Sequence, residues 1–294
     1  MHPKIYGTGV ALVTPFKTDL SIDFEALTRL VNHCIKGNID FLVVMGTTGE
    51  SVTLSLEEKN IVLEHVKKIN DNNLPIVLGI GGNNTSAVIE SFSNYNLDGV
   101  DAILSVSPSY NKPTQEGIYQ HFKAISEKSP LPIILYNVPG RTSSNMSAET
   151  TLRLANDFDN IIAIKEASGD MTQIMDIINR KPTNFNVLSG DDAITLPIIA
   201  MGGKGVISVL AQGLPKEFST MVSYALDDNN IVTARNTHYK ILDFVKPLFA
   251  EGNPAGIKTL LHIIGICQEE VRLPLVKSSE NLRAIIQKKW EKLN

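Results

Sequence analysis

Lys165 closes an apolar run, Asn160-Ile-Ile-Ala-Ile-Lys165. Aliphatic residues without polar alternation read as a strand buried on both faces, so a lysine at its end has no easy route to water. Desolvation disfavours an ammonium, and a free amine attacks carbonyl carbon to form an imine. Taken singly, a lysine here more often marks only where a strand surfaces; its company decides otherwise. Tyr136 and Arg141 lie in YNVPGRT, residues 136–142. The phenol can shuttle protons, and the guanidinium can clamp a carboxylate through two parallel hydrogen bonds. Thr47 and Thr48 lie in GTTGES, residues 46–51. Their hydroxyls and the neighbouring backbone N–H groups can hold a small anion such as a carboxylate. Tyr110, in SPSYNKP at 107–113, adds a second phenol. An amine, two phenols, two threonines and an arginine make a Schiff-base set, not a metal site. The six histidines (2, 33, 65, 121, 238 and 262) contain no i, i+4 pair and no HExxH, so no metal is expected. Residues 79–84, GIGGNN, have the wrong spacing for a nucleotide loop and read as a tight turn.

One architecture brings these segments together. Eight Val/Ile/Leu-rich runs recur, at 9–14, 40–45, 75–80, 100–106, 132–136, 161–164, 185–188 and 205–209. Helical spacing lies between them: Phe24, Leu27, Leu30, Val31 and Cys34 share one face, and Ile61, Val62, His65, Val66 and Ile69 another. Thr114, Ser55 with Glu58, and Ser147 before Glu149 are helix-start signals. Eight strand–helix alternations predict an α/β fold, a (β/α)8 TIM barrel with a C-terminal helical extension. An open doubly wound sheet would place a glycine-rich turn after the first strand, where this chain has Thr14-Pro15-Phe16. After Val209 the pattern is helical at 215–228, 231–250, 254–267 and 279–292. We expect a catalytic barrel over 1–228 and a helical annex packed on it over 229–294. A barrel carries its chemistry at the C-terminal ends of its strands, and Thr47, Thr48, Tyr110, Tyr136, Arg141, Lys165, Gly190 and Ile207 all lie on or just after such ends.

Composition narrows the class. The chain has 294 residues, 43% hydrophobic and 20% charged, with net charge −4, which suits a globular domain with a large core. No basic cluster interleaves with aromatics, so nucleic acid is not an expected partner. No apolar stretch reaches the roughly 18 residues a membrane helix needs, and residues 1–5 lack the layout of a signal peptide. Two cysteines, Cys34 and Cys267, read as free thiols of a cytoplasmic protein.

Seven segments in order then carry a resemblance: GTTGES (46–51), PSYNKPTQEG (108–117), YNVPGRT (136–142), IKEASGD (164–170), LSGDD (188–192), GVISV (205–209) and VRLPL (271–275). The chain resembles the pyruvate-dependent class I aldolase family over about residues 7–275. The closest branch condenses pyruvate with aspartate semialdehyde and closes a six-membered ring. The resemblance implies roles for matching residues. Lys165 forms the imine with pyruvate. Tyr136 relays protons through Thr47 to Tyr110, the last supplied by a neighbouring subunit. Thr48 holds the pyruvate carboxylate, Arg141 binds the carboxylate of the semialdehyde, and Gly190 and Ile207 place backbone carbonyls near the imine. It implies no external cofactor, and a homo-oligomer, tetramer or dimer. Sister branches cleave sialate or 2-keto-3-deoxy-sugar acids, and Arg141 argues against them. Family members inhibited by lysine carry two histidines, a glutamate and a tyrosine where this chain has Leu56, Lys59, Ala87 and Ser109. Ser51 and Asn83 fit that pattern, but the carboxylate is missing, so weak or absent inhibition is expected.

Overall fold

A computed structural model describes residues 5–71, 73–226 and 230–293. Elements run β1 (Gly7–Ala11), α1 (Phe24–Lys36), β2 (Phe41–Val44), α2 (Leu56–Asn70), β3 (Ile76–Gly79), α3 (Thr85–Ser91), β4 (Ala102–Val106), α4 (Gln115–Ser126), β5 (Ile133–Asn137), α5 (Pro139–Thr142), α6 (Ala148–Asp157), β6 (Ile161–Glu166), α7 (Met171–Arg180), β7 (Asn186–Ser189), α8 (Thr195–Ala200) and β8 (Gly205–Ser208). Then follow α9 (Pro215–Leu226), α10 (Ile231–Ala250), α11 (Ala255–Ile263) and α12 (Glu280–Leu293). The eight strands close a parallel barrel in chain order, as the alternation predicts. Closure needs glycine: a Cβ on Gly205 would stand 2.0 Å from the carbonyl oxygen of Gly7, at φ +144°.

Two apolar layers follow from the pleat. Ala11, Phe41, Val43, Val77, Ala102, Leu104, Ile134, Tyr136, Ala163, Leu188 and Ile207 fill the barrel interior. Val10, Leu42, Leu78, Ile103, Ile133, Leu135 and Ile164 face the helices. Burying each Val, Leu, Ile or Phe side chain among them contributes roughly 1.5–3 kcal/mol relative to exposure. Helix starts follow their caps. Ser55 and Glu58 form a reciprocal capping box on α2, and Thr114 and Ser147 accept from Gly117 N and Thr150 N. Each cap stabilises its helix by about 1 kcal/mol.

The boundaries differ in places. The first strand, expected over 9–14, runs Gly7–Ala11. Gly7 and Thr8 pair with β8, whereas Val13 N donates to Gln212 Oε1 at 2.9 Å and so has left the ladder. The helix expected over 254–267 is Ala255–Ile263, because Gly265 at φ +77° turns the chain. The expected boundary at 228/229, the end of the helix expected over 215–228, and residues 1–4 lie outside the described residues. Among the described residues no helix is long and apolar enough to cross a membrane. Cys34 and Cys267 are free and buried.

Candidate active site

The sixth strand sets the direction of Lys165 through an irregularity. Ile133 pairs with Ile161 but Ile134 pairs with Ala163, so one extra residue, Ile162, is accommodated between them. In a regular strand residues 161 and 165, four apart, would face the same side. Here Ile161 packs towards the helices, while the register Tyr136↔Lys165 brings the lysine level with an interior residue. The bulge therefore lets an outward-facing strand start end with its lysine aimed inward. Lys165 is 6% exposed, and its Nζ lies 4.4 Å from the centroid of the Tyr136 ring.

The next pair in the ladder faces outward and fastens the two strands. Asn137 Nδ2 donates to both oxygens of Glu166 at 3.1 Å, and Ser168 N and Gln173 Nε2 donate to the same carboxylate at 2.7 and 3.1 Å. Burial pushes the Glu166 carboxyl above its ordinary range, with the donors from Asn137, Ser168 and Gln173 opposing that shift. Asn137 Oδ1 in turn accepts from Met146 N at 3.0 Å. This clamp sits one residue beyond Tyr136 and Lys165 and holds them in register.

Two cavities meet over this pair. Both are lined by Thr47, Thr48, Tyr136 and Lys165. The smaller, about 410 Å³, continues past Ser51 and Lys59 to Asn83 and Ala87. The larger, about 1220 Å³, opens between the barrel mouth and α10 and α12, and takes in Arg141, Gly190, Lys246 and Asn253. Thr47 and Thr48 belong to a single 3-10 turn after β2. Arg141 is exposed on α5, a one-turn helix started by Pro139, and its guanidinium makes no ion pair among the described residues. Gly190 leaves no room for a side chain beside the lysine: a Cβ there would stand 3.2 Å from Lys165 Cε.

Thus six of the eight expected site residues share the cavities: Lys165, Tyr136, Thr47, Thr48, Arg141 and Gly190. Two do not line them. Ile207 is packed inside the barrel on β8. Tyr110 is 89% exposed at φ +73°, on the loop before α4.

Sequence reading missed the residues that hold the Thr47–Thr48 turn. Asn253 Nδ2 donates to Thr48 Oγ1 at 2.9 Å. Lys258 Nζ pairs with Glu50 Oε1 at 2.5 Å, with side chains 0% and 1% exposed, and Arg272 N donates to Glu50 Oε2 at 2.9 Å. The partners are separated by more than 200 residues, so no local pattern could reveal them.

A buried amine facing a phenol, beside a hydroxyl-lined turn and a guanidinium with no ion pair among the described residues, can form an imine with a carboxylate-bearing carbonyl compound and move protons at the adjacent carbon. Comparison with known proteins agrees with that chemistry. The model of the Dihydrodipicolinate synthetase family matches residues 4–292. The chain belongs to this family. It is 55% identical over 276 residues to the 4-hydroxy-tetrahydrodipicolinate synthase of Flavobacterium psychrophilum, covering 94% of both chains. It is 50% identical to that of Phocaeicola vulgatus, over 97% of both. The crystal structure of dihydrodipicolinate synthase from Thermotoga maritima superposes with a TM-score of 0.95, at 37% identity over 98% of each chain. Family membership accounts for the barrel and for the helices that follow it.

Proposed function

We propose that this chain is a 4-hydroxy-tetrahydrodipicolinate synthase, a lyase of the class I aldolase type that condenses pyruvate with L-aspartate 4-semialdehyde. The observation that carries the reading is Lys165, buried at the end of β6 and facing Tyr136 in cavities that also hold Thr47, Thr48 and Arg141. High identity to synthases over nearly the whole chain supports it.

In this reading the Lys165 amine attacks C2 of pyruvate and water leaves, giving the imine. The imine draws electrons from C3, so a methyl proton departs and an enamine forms. C3 then bonds to the aldehyde carbon, whose oxygen takes up a proton as the hydroxyl. The substrate's own amine attacks C2, expels Lys165 and closes the six-membered ring. Over the cycle one water is released, and no external cofactor is consumed. Tyr136 serves as the proton carrier next to the amine, with Thr47 as its relay. The Thr48 hydroxyl and the N–H groups of its turn hold the pyruvate carboxylate. Arg141 holds the carboxylate of the semialdehyde, and the carbonyls of Gly190 and Ile207 face the imine side. Tyr110 completes the relay of a neighbouring copy in a homo-oligomer. Its exposure on a proline-bounded loop supports that placement.

The test is product analysis. Purified protein given pyruvate and aspartate semialdehyde should release the cyclic dicarboxylate at a rate that scales with enzyme. Cleavage of sialate, with no cyclic product, would overturn the assignment.

A further inference from the structure

The Thr47–Thr48 turn is fastened less by the barrel than by α11 and the connections on either side of it. Glu50 ends the turn at φ +54°, a left-handed conformation that a buried non-glycine residue keeps only when its surroundings fix it. Those surroundings come from 253–272. Lys258 holds one oxygen of Glu50 and also donates to Glu270 O at 2.7 Å, and Arg272 N holds the other oxygen. The Arg272 guanidinium continues the staple, donating to Thr53 O at 3.0 Å and to both oxygens of Glu58 at 2.8 and 2.6 Å. From the barrel side the turn receives Thr14 Oγ1, which donates to Gly49 O at 2.7 Å.

Two features show direction rather than mere cohesion. Two charges taken wholly out of water contribute little net stability, and well-packed apolar residues often replace such a pair without loss. What the pair supplies is a fixed position for the turn. Asn253 adds orientation. Its N–H occupies the acceptor side of Thr48 Oγ1, which leaves the hydroxyl proton to be donated elsewhere, and Thr48 lines both cavities.

We infer that the C-terminal segment completes the pyruvate site: Lys258 through Glu50, and Asn253 through Thr48, are positioning residues for the anion-binding turn. This rests on the reading of Lys165 and Thr48 given above. The inference makes the C-terminal helices part of the catalytic scaffold.

The experiment is borohydride trapping of pyruvate on Lys165 over a range of pyruvate concentrations, for the full chain, Asn253→Ala, and the double variant Glu50→Met with Lys258→Met. The double variant removes both charges, so neither is left buried alone. Expected in each folded variant is a rise of about tenfold in half-saturating pyruvate, with the trapping rate at saturation within about twofold of the parent, the signature of lost ground-state positioning. An unchanged half-saturation in either folded variant, whatever its melting temperature, overturns the inference and leaves these residues purely structural. Should the double variant not fold, Asn253→Ala, which removes no charge, decides alone. A parent protein that traps no pyruvate sinks the catalytic reading itself, a result distinct from both.

Discussion

Replacing Gly190 by alanine perturbs the site through geometry alone. The added Cβ would lie 2.6 Å from Ala167 Cβ, 3.1 Å from Glu166 O and 3.2 Å from Lys165 Cε. Carbon atoms rest near 3.5–4.0 Å apart, so the end of β7 must retreat from β6 by roughly 1 Å. Gly190 N donates to Glu166 O at 2.7 Å, so the retreat pulls on the residue adjoining Lys165. Overpacking of this kind costs about 1–3 kcal/mol of stability, a fall of several degrees in Tm for a chain of this length. Displacing a reacting group by about 1 Å can cost ~10²-fold in rate. The assays are a thermal melt, the rate of borohydride trapping with saturating pyruvate, and turnover with both substrates. Lowered Tm together with trapping and turnover slowed by one to two orders of magnitude is the expected result. Parent-like rates in both assays would refute the claim that Gly190 keeps space for the reacting lysine.

Arg141→Ala should raise KM for aspartate semialdehyde far more than KM for pyruvate. A charge-assisted contact of about 2–3 kcal/mol corresponds to roughly 30–150-fold in kcat/KM, and equal effects on the two substrates would mark Arg141 as structural. His121 links stability to pH: burial pushes its imidazole from 6.5 down to about 4. The unfolded chain therefore takes up that proton first, and stability present at pH 7 is lost as the pH falls from 6.5 towards 4. At ~1.4 kcal/mol per pH unit this amounts to about 3 kcal/mol. Denaturant titrations at pH 7 and pH 4 should show His121→Gln escaping that part of the loss, and parallel losses in both proteins would contradict the assignment. Lysine should inhibit weakly. The smaller cavity carries Lys59 and Ala87, so an ammonium entering it meets a like charge and no carboxylate at Ala87. Half-maximal inhibition below about 1 mM, an affinity of roughly −4 kcal/mol, would show the effector held another way.

The barrel was legible because each strand is a short aliphatic run between helices with recognisable caps. Parallel strands buried on both faces leave that signature whatever the loops do. The ends were less legible. β1 begins at Gly7 rather than Gly9 because pairing with β8, not hydropathy, decides where it starts. Lys165 stood out in the sequence from its place after four apolar residues, and it lies buried beside Tyr136. Its inward direction was not legible, because the bulge at Ile162 breaks the two-residue period by which faces are assigned. Arg141 and the two threonines were singled out by residue type, and all three line the cavities. The network behind them was not legible, since Glu50 and Lys258 are joined only by the fold. GTTGES reads as a polar turn; only the structure shows that its glutamate is an internal anchor rather than a surface charge. The annex read as packing, and its reach into the site through Asn253 left no local trace.

The proposed chemistry turns on an imine between Lys165 and pyruvate. The direct measurement is mass spectrometry of the protein after incubation with pyruvate and borohydride, followed by peptide mapping. The reduced adduct should appear on the peptide containing Lys165 and be absent in Lys165→Ala, which should still fold. An adduct formed on Lys165→Ala at the parent's rate, or mapped to another lysine, would contradict the account.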